Sequence, residues 1–189
     1  MLSFANKLFV KPVKYERFAG YQRNLEREKM YELQSNSSKE IWIVAGEFDE
    51  QFYNKQFADI ISEKLKKIPG FKVNILFSKD ETLDYEERIK LIYEKNRHVC
   101  KLLENGAFGG RLSMFLSEKR PDNHFGIVDD SILIEKIHKS KELRDVLLVH
   151  NYQTLVEKYK RYFNELIKNP GIDNKITKLT SNNFKDIAA

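Results

Sequence analysis

The stretch Arg120-Pro-Asp-Asn-His-Phe-Gly-Ile-Val-Asp-Asp130 decides how the chain reads. Its centre, Phe125 to Val128, is apolar and short, as a buried strand would be. Side chains along a strand alternate between its two faces. On that geometry His124 points with Gly126, Val128 and Asp130, and Asp129 points with Phe125 and Ile127. An imidazole and a carboxylate therefore flank one apolar strand.

On either side of this strand, helical and strand patterns alternate. Ile41-Trp-Ile-Val-Ala45 is a continuous apolar run of strand type. Between Glu50 and Lys67, Tyr53, Phe57, Ile60, Ile61 and Leu65 recur at helical spacing. Pro69-Gly70 makes a turn, and Phe71 to Phe77 reads as the next strand. Leu83 to Leu103 carries Ile89, Ile92, Val99 and Leu103 on one helical face, and Gly106 to Gly110 ends that helix. Leu112 to Leu116, Ile132 to Ile134 and Asp145 to Val149 are further strands. A last helix runs from Tyr152 to Lys168, with Asn151 as its expected N-cap and Pro170-Gly171 as its stop. Strands separated by helices call for parallel pairing through crossovers, and the later run of strands calls for antiparallel pairing. The expected fold class is α/β: a mixed β-sheet flanked by helices on both faces.

Before this region, Lys14 to Gln34 lacks proline and is rich in helix formers. Phe18, Tyr21 and Leu25 fall on one helical face, and Ser35-Asn-Ser-Ser38 reads as a linker. The expected organisation is a basic helical extension and linker over 1–38, an α/β domain over 39–168 and a polar C-terminal tail over 169–189.

The chain has 189 residues and a net charge of +5, enough length for one ordinary domain. The surplus sits at the ends. Residues 1–40 hold 8 Lys/Arg against 5 Asp/Glu, residues 150–189 hold 7 against 4, and residues 41–149 hold 18 against 19. Basic ends attract nucleic acid or anionic lipid. A single cysteine, Cys100, excludes an intrachain disulfide and reads as a buried small hydrophobe. The four histidines are dispersed, with no zinc spacing, so neither a metal nor another cofactor is expected. No run approaches the about 20 apolar residues of a membrane span. Leu8-Phe9-Val10 is too short for a signal-peptide core, so the expected location is cytoplasmic.

The order of elements and the strand around His124 together resemble a single phospholipase D-like domain over roughly Glu40 to Lys168. That family's signature is His-x-Lys-x-x-x-x-Asp, followed by a Gly-Ser element. The resemblance implies a histidine that attacks phosphorus, a lysine that neutralises phosphate, and an aspartate that orients the histidine. It also implies that single-copy members complete the site across a homodimer. Two registers fit. With Asp129 as the family's aspartate, the lysine position falls on His124 and the histidine position on Asp122. With His124 as the nucleophile, the lysine position is Gly126 and the aspartate position Ser131. The first keeps the apolar strand in place before the aspartate and is preferred. Ile134-Glu-Lys-Ile-His138 stands where the Gly-Ser element would be, so the motif is degenerate.

From the residues themselves, His124 can hydrogen-bond phosphate or be charged by it. Glu135, Lys136 and His138 follow one short strand later, and Arg144 opens the next. Together they outline a phosphate site at the carboxyl ends of the strands, where open α/β sheets bind ligands. The expected catalytic residues are His124, Asp129 and His138. The expected phosphate-binding residues are Lys136, Arg144 and Glu135. The leading expectation is a phosphodiester-binding domain with DNA or RNA as partner and weak or no catalysis. The alternatives are a metal-independent nuclease using His124 across a homodimer, and a protein-interaction or regulatory module.

Overall fold

The computed structural model describes residues 11–19, 22–46, 51–78, 82–104, 108–119, 121, 123–137, 144–169, 175–185 and 187. Among them, eight strands form one mixed sheet. In chain order these are β1 (Lys14–Ala19), β2 (Glu40–Ala45), β3 (Lys72–Ser78), β4 (Leu112–Ser117), β5 (His124–Val128), β6 (Ser131–Ile137), β7 (Arg144–His150) and β8 (Ile176–Leu179). Across the sheet the order is β1-β7-β6-β5-β2-β3-β4-β8. The β2–β3 and β3–β4 pairs are parallel. All other pairs are antiparallel.

The parallel pairs require crossovers, and two helices supply them: α2 (Lys55–Lys67) between β2 and β3, and α3 (Tyr85–Glu104) between β3 and β4. Asn54 caps α2, its side chain accepting hydrogen bonds from the backbone N–H groups of Gln56 and Phe57. With α1 (Arg23–Asn36), these helices cover one face of the sheet. Ile43, Ile75, Met114 and Leu148 meet Met30, Phe57, Ile61 and Val99 there. The other face is covered by α4 (Gln153–Lys168), whose Val156 and Phe163 pack on Val44, Leu76, Phe125 and Ile127. Trp42 meets Phe163 edge-on at 5.0 Å, and Phe125 meets Tyr159 at 4.9 Å. Lys160 of α4 pairs with Glu40 and Glu157. Burial opposes its charge, but the hydrogen bonds to Glu40 and Glu157 prevail and raise its pKa above the ordinary lysine value. The mixed sheet with helices on both faces is the expected architecture.

The two ends of the chain depart from expectation. Lys14–Ala19 is not the start of a helix. It is edge strand β1, paired antiparallel with β7. A helix would put Tyr15 and Phe18, three residues apart, on one face. The strand puts them on opposite faces, Tyr15 at 62% exposure and Phe18 at 3%. His150 fixes this edge, its Nε2 2.8 Å from Glu16 Oε1 and its Nδ1 3.1 Å from Ser131 Oγ. The segment after residue 169 also joins the fold: β8 extends the sheet beside β4, and α5 (Asn182–Lys185) buries Phe184 completely. Asn151 does not cap α4. It adopts a positive φ of 58°, and its amide donates to the carbonyl of Pro12. Cys100 is buried, as expected of a small hydrophobe, and burial pushes its thiol pKa up. No helix among the described residues is long and apolar enough to cross a membrane.

Candidate functional site

His124 opens β5 at the edge of the sheet where the parallel strands end. Antiparallel pairing of β5 with β2 sets Phe125 opposite Val44, which places His124 beside the last residue of β2. Pairing with β6 sets His124 directly opposite Glu135. Residues opposite each other in an antiparallel ladder share a face. The sheet register thus brings the imidazole Nδ1 to 3.6 Å from Glu135 Oε2, an ion pair whenever the ring is protonated.

The ring lies on the face covered by α1. The carboxylate of Asp129 fixes the chain where α1 leads into β2, so the C-terminal end of α1 lies at the far end of β5. Met30 stands over Gly126, and the N-terminal half of α1 therefore extends toward His124. Glu26, one helical turn before Met30, is buried at 2% exposure on this face.

On the β2 side the ring rests against Gly46. A Cβ there would fall 2.2 Å from His124 Cε1 and 2.6 Å from Nε2. Any other residue at 46 would collide with the imidazole. His124 is 7% exposed, and its Nε2 is buried with no hydrogen-bond partner among the described residues.

The other expected site residues fall into three groups. Lys136 and Arg144 lie at the same edge as His124, with Lys136 paired to Asp145 and Ile137 to Arg144 on neighbouring strands. His138 lies outside the described residues. Asp129 lies at the opposite end of β5, about 16 Å along the strand from His124 at ~3.3 Å per residue. Its carboxylate accepts the backbone N–H groups of Ser38 at 2.7 Å, Lys39 at 2.9 Å and Glu40 at 3.0 Å, and the Ser38 hydroxyl at 3.1 Å. With a φ of 53°, Asp129 is the turn residue that locks the β5–β6 hairpin to the start of β2. It does not meet the imidazole.

No family model matches the sequence, and no curated protein matches it. Solved structures do match. Nuc from Salmonella typhimurium, a phospholipase D family member, superimposes with a TM-score of 0.56 at 10% identity, over 82% of this chain and 93% of that one. NucT from Helicobacter pylori gives 0.53 at 13% identity, over 83% and 97%. The fold is phospholipase D-like. TrmBL2, an archaeal chromatin protein whose structure shows a novel mode of DNA binding, gives 0.55 at 17% identity over 86% of this chain. The chain spans only 54% of TrmBL2.

Within the phospholipase D-like sheet, the preferred alignment of the motif separates its members. It gives His124 and Asp129 to one site, and the sheet holds them at opposite edges. What gathers around the imidazole is Glu135 and the bare backbone of Gly46. Glu135 was expected among the phosphate-binding residues. In the structure its carboxylate faces Nδ1 at 3.6 Å. Sequence reasoning missed Gly46 as a partner of His124. The Ala45-Gly46 boundary was visible as a strand end, but only the register of β5 on β2 shows which ring needs the space. Glu26 was missed as well, because a carboxylate on a weakly amphipathic helix gives no sign of burial.

Proposed function

We propose that this phospholipase D-like domain binds phosphodiesters, nucleic acid foremost, and turns them over weakly or not at all. The observation that carries the reading is the state of His124. It stands at the carboxyl edge of the parallel strands, where such sheets place their chemistry. Its Nε2 nevertheless has no open surface. The lysine and Gly-Ser element of the family signature have no counterpart in the sequence. A shielded imidazole without these partners supports binding over cleavage. The TrmBL2 likeness and the net charge of +5 favour nucleic acid as the phosphodiester. Of the residues expected at the site, His124 and Glu135 form its pair. Lys136, Arg144 and His138 are the cations to test beside them.

A second reading rests on the same pair. Glu135 on Nδ1 leaves Nε2 as the nitrogen that could attack phosphorus or take a proton, the arrangement of a carboxylate-oriented base. In that reading two chains would complete a metal-independent nuclease, with His138 serving across a homodimer. One experiment separates the two. Labelled DNA and RNA are incubated with wild type and His124→Ala, with chelator present, and binding is measured across a salt series. The binding reading expects affinity that falls steeply with salt, with no cleavage by either protein. Chelator-resistant cleavage lost in His124→Ala would replace it with the nuclease reading. The absence of both would leave a protein-interaction module, and sizing the protein in solution would then test for the homodimer.

A further inference from the structure

The edge of the sheet opposite His124 is lined with lysines. β2 and β3 run parallel and begin side by side there, Lys72 N–H donating to the carbonyl of Lys39 at 3.1 Å. The last turn of α2, which leads into β3, carries Lys64, Lys66 and Lys67. Arg111 closes this corner, its guanidinium donating to the carbonyls of Leu65 at 2.7 Å and Ile68 at 3.4 Å. Lys39, Lys66 and Lys72 are exposed.

The neighbouring carboxylates are engaged elsewhere: Glu40, beside Lys72 in the β2–β3 register, pairs with Lys160. Glu63 pairs with Lys67 at 2.8 Å. Asp129 lies beside Lys39, but its oxygens already accept three backbone N–H groups and a hydroxyl. Lys39, Lys66 and Lys72 form no ion pair among the described residues. The His124 edge differs. Asp84, Glu86, Glu87 and Glu118 stand there among Arg88, Lys119, Lys136 and Arg144, and the imidazole itself faces Glu135. A polyanion gains most where several cations stand together without partners, because each phosphate neutralised releases condensed counterions.

We infer that the nucleic-acid backbone binds along this lysine-lined edge, at the amino ends of β2 and β3, and not at the His124 edge. The inference rests on the nucleic-acid reading proposed above and locates its contact surface. Three lysines spaced over two strand starts and a helix end contact phosphates without reading bases, so binding is tolerant of sequence.

The test uses the full chain and a fluorescein-labelled mixed-sequence duplex, with anisotropy followed across a salt series. The triple variant Lys39→Glu, Lys66→Glu, Lys72→Glu is compared with wild type, with His124→Ala, and with a charge-matched triple variant placed elsewhere: Lys90→Glu, Lys158→Glu, Lys178→Glu. All six lysines are exposed, and thermal melting confirms that each variant is folded. The expected result for the edge variant is affinity weaker by roughly tenfold or more and a salt slope flatter by about 3, one for each lost phosphate contact. The charge-matched variant should lose much less. If the edge variant binds like wild type, or if the charge-matched variant loses as much, the surface is wrong and nucleic-acid binding stands. If wild type shows no salt-sensitive binding, the nucleic-acid reading fails and takes this inference with it.

Discussion

A methyl group at position 46 would measure how tightly the imidazole is held. Its carbon would sit 2.2 Å from His124 Cε1, well inside van der Waals contact. Either the ring leaves its position or the end of β2 shifts. Overpacking of this kind costs about 1–3 kcal/mol. Gly46→Ala should therefore lower the denaturant midpoint. In a His124→Ala background the same change should cost little, because the colliding ring is gone. A double-mutant cycle reads the difference directly. Equal costs in both backgrounds would mean that Gly46 is required by its backbone and not by the ring. Position along β5 separates His124 from Asp129. In sequence they frame one strand and look like partners. Folded, one faces Glu135 and the other holds the N–H groups at the start of β2. Strand parity placed His124 correctly with Gly126, on the face beneath Met30. It does not extend to Asp129, a turn residue with positive φ beyond the end of the strand.

At the scale of elements, the interior was legible and the edges were not. β2 and β3 are buried on both faces, so their apolar runs are nearly continuous and stand out. α4 shows a clean apolar stripe. β1 buries only Phe18 and β8 only Leu179, so neither carries enough apolar signal to be read as a strand. Edge strands are held by their ladder and by a few specific contacts, such as the His150–Glu16 pair on β1. The C-terminal segment illustrates the point. It reads as polar, yet Phe184 is fully buried with its ring 5.6 Å from that of Tyr93 on α3. One aromatic residue anchors α5 and, through it, the end of β8. Phe184→Ala should cost about 3–5 kcal/mol, the range for truncating a buried aromatic. Urea unfolding should show this as a lower midpoint with an unchanged slope. A loss below about 0.5 kcal/mol, the range of an ordinary surface change, would show that the tail contributes no packing and that the polar-tail reading was right.

Across the whole molecule, the two edges of the sheet differ in where charge is left unsatisfied. The fold places a shielded imidazole at one edge of the sheet and, at the other, lysines with no ion pair among the described residues, and the two edges predict different behaviour. A ligand that binds only the folded state stabilises it by mass action, by about 2.7 kcal/mol at a hundredfold excess over its Kd. For a chain of 189 residues each kcal/mol moves the melting temperature by about 2–4 °C. Duplex DNA at that excess should therefore raise the melting temperature by about 5–10 °C at low salt. Lysine-to-phosphate contacts are screened and compete with counterions, so the shift should shrink steadily as salt is added. It should disappear in the Lys39, Lys66, Lys72 variant and largely persist in the Lys90, Lys158, Lys178 variant. A shift that ignores salt would point to base or aromatic contacts instead of backbone electrostatics. A shift lost in His124→Ala but kept in the lysine variant would return the binding surface to the carboxyl edge, and Lys136 and Arg144 would become the cations that hold the phosphate.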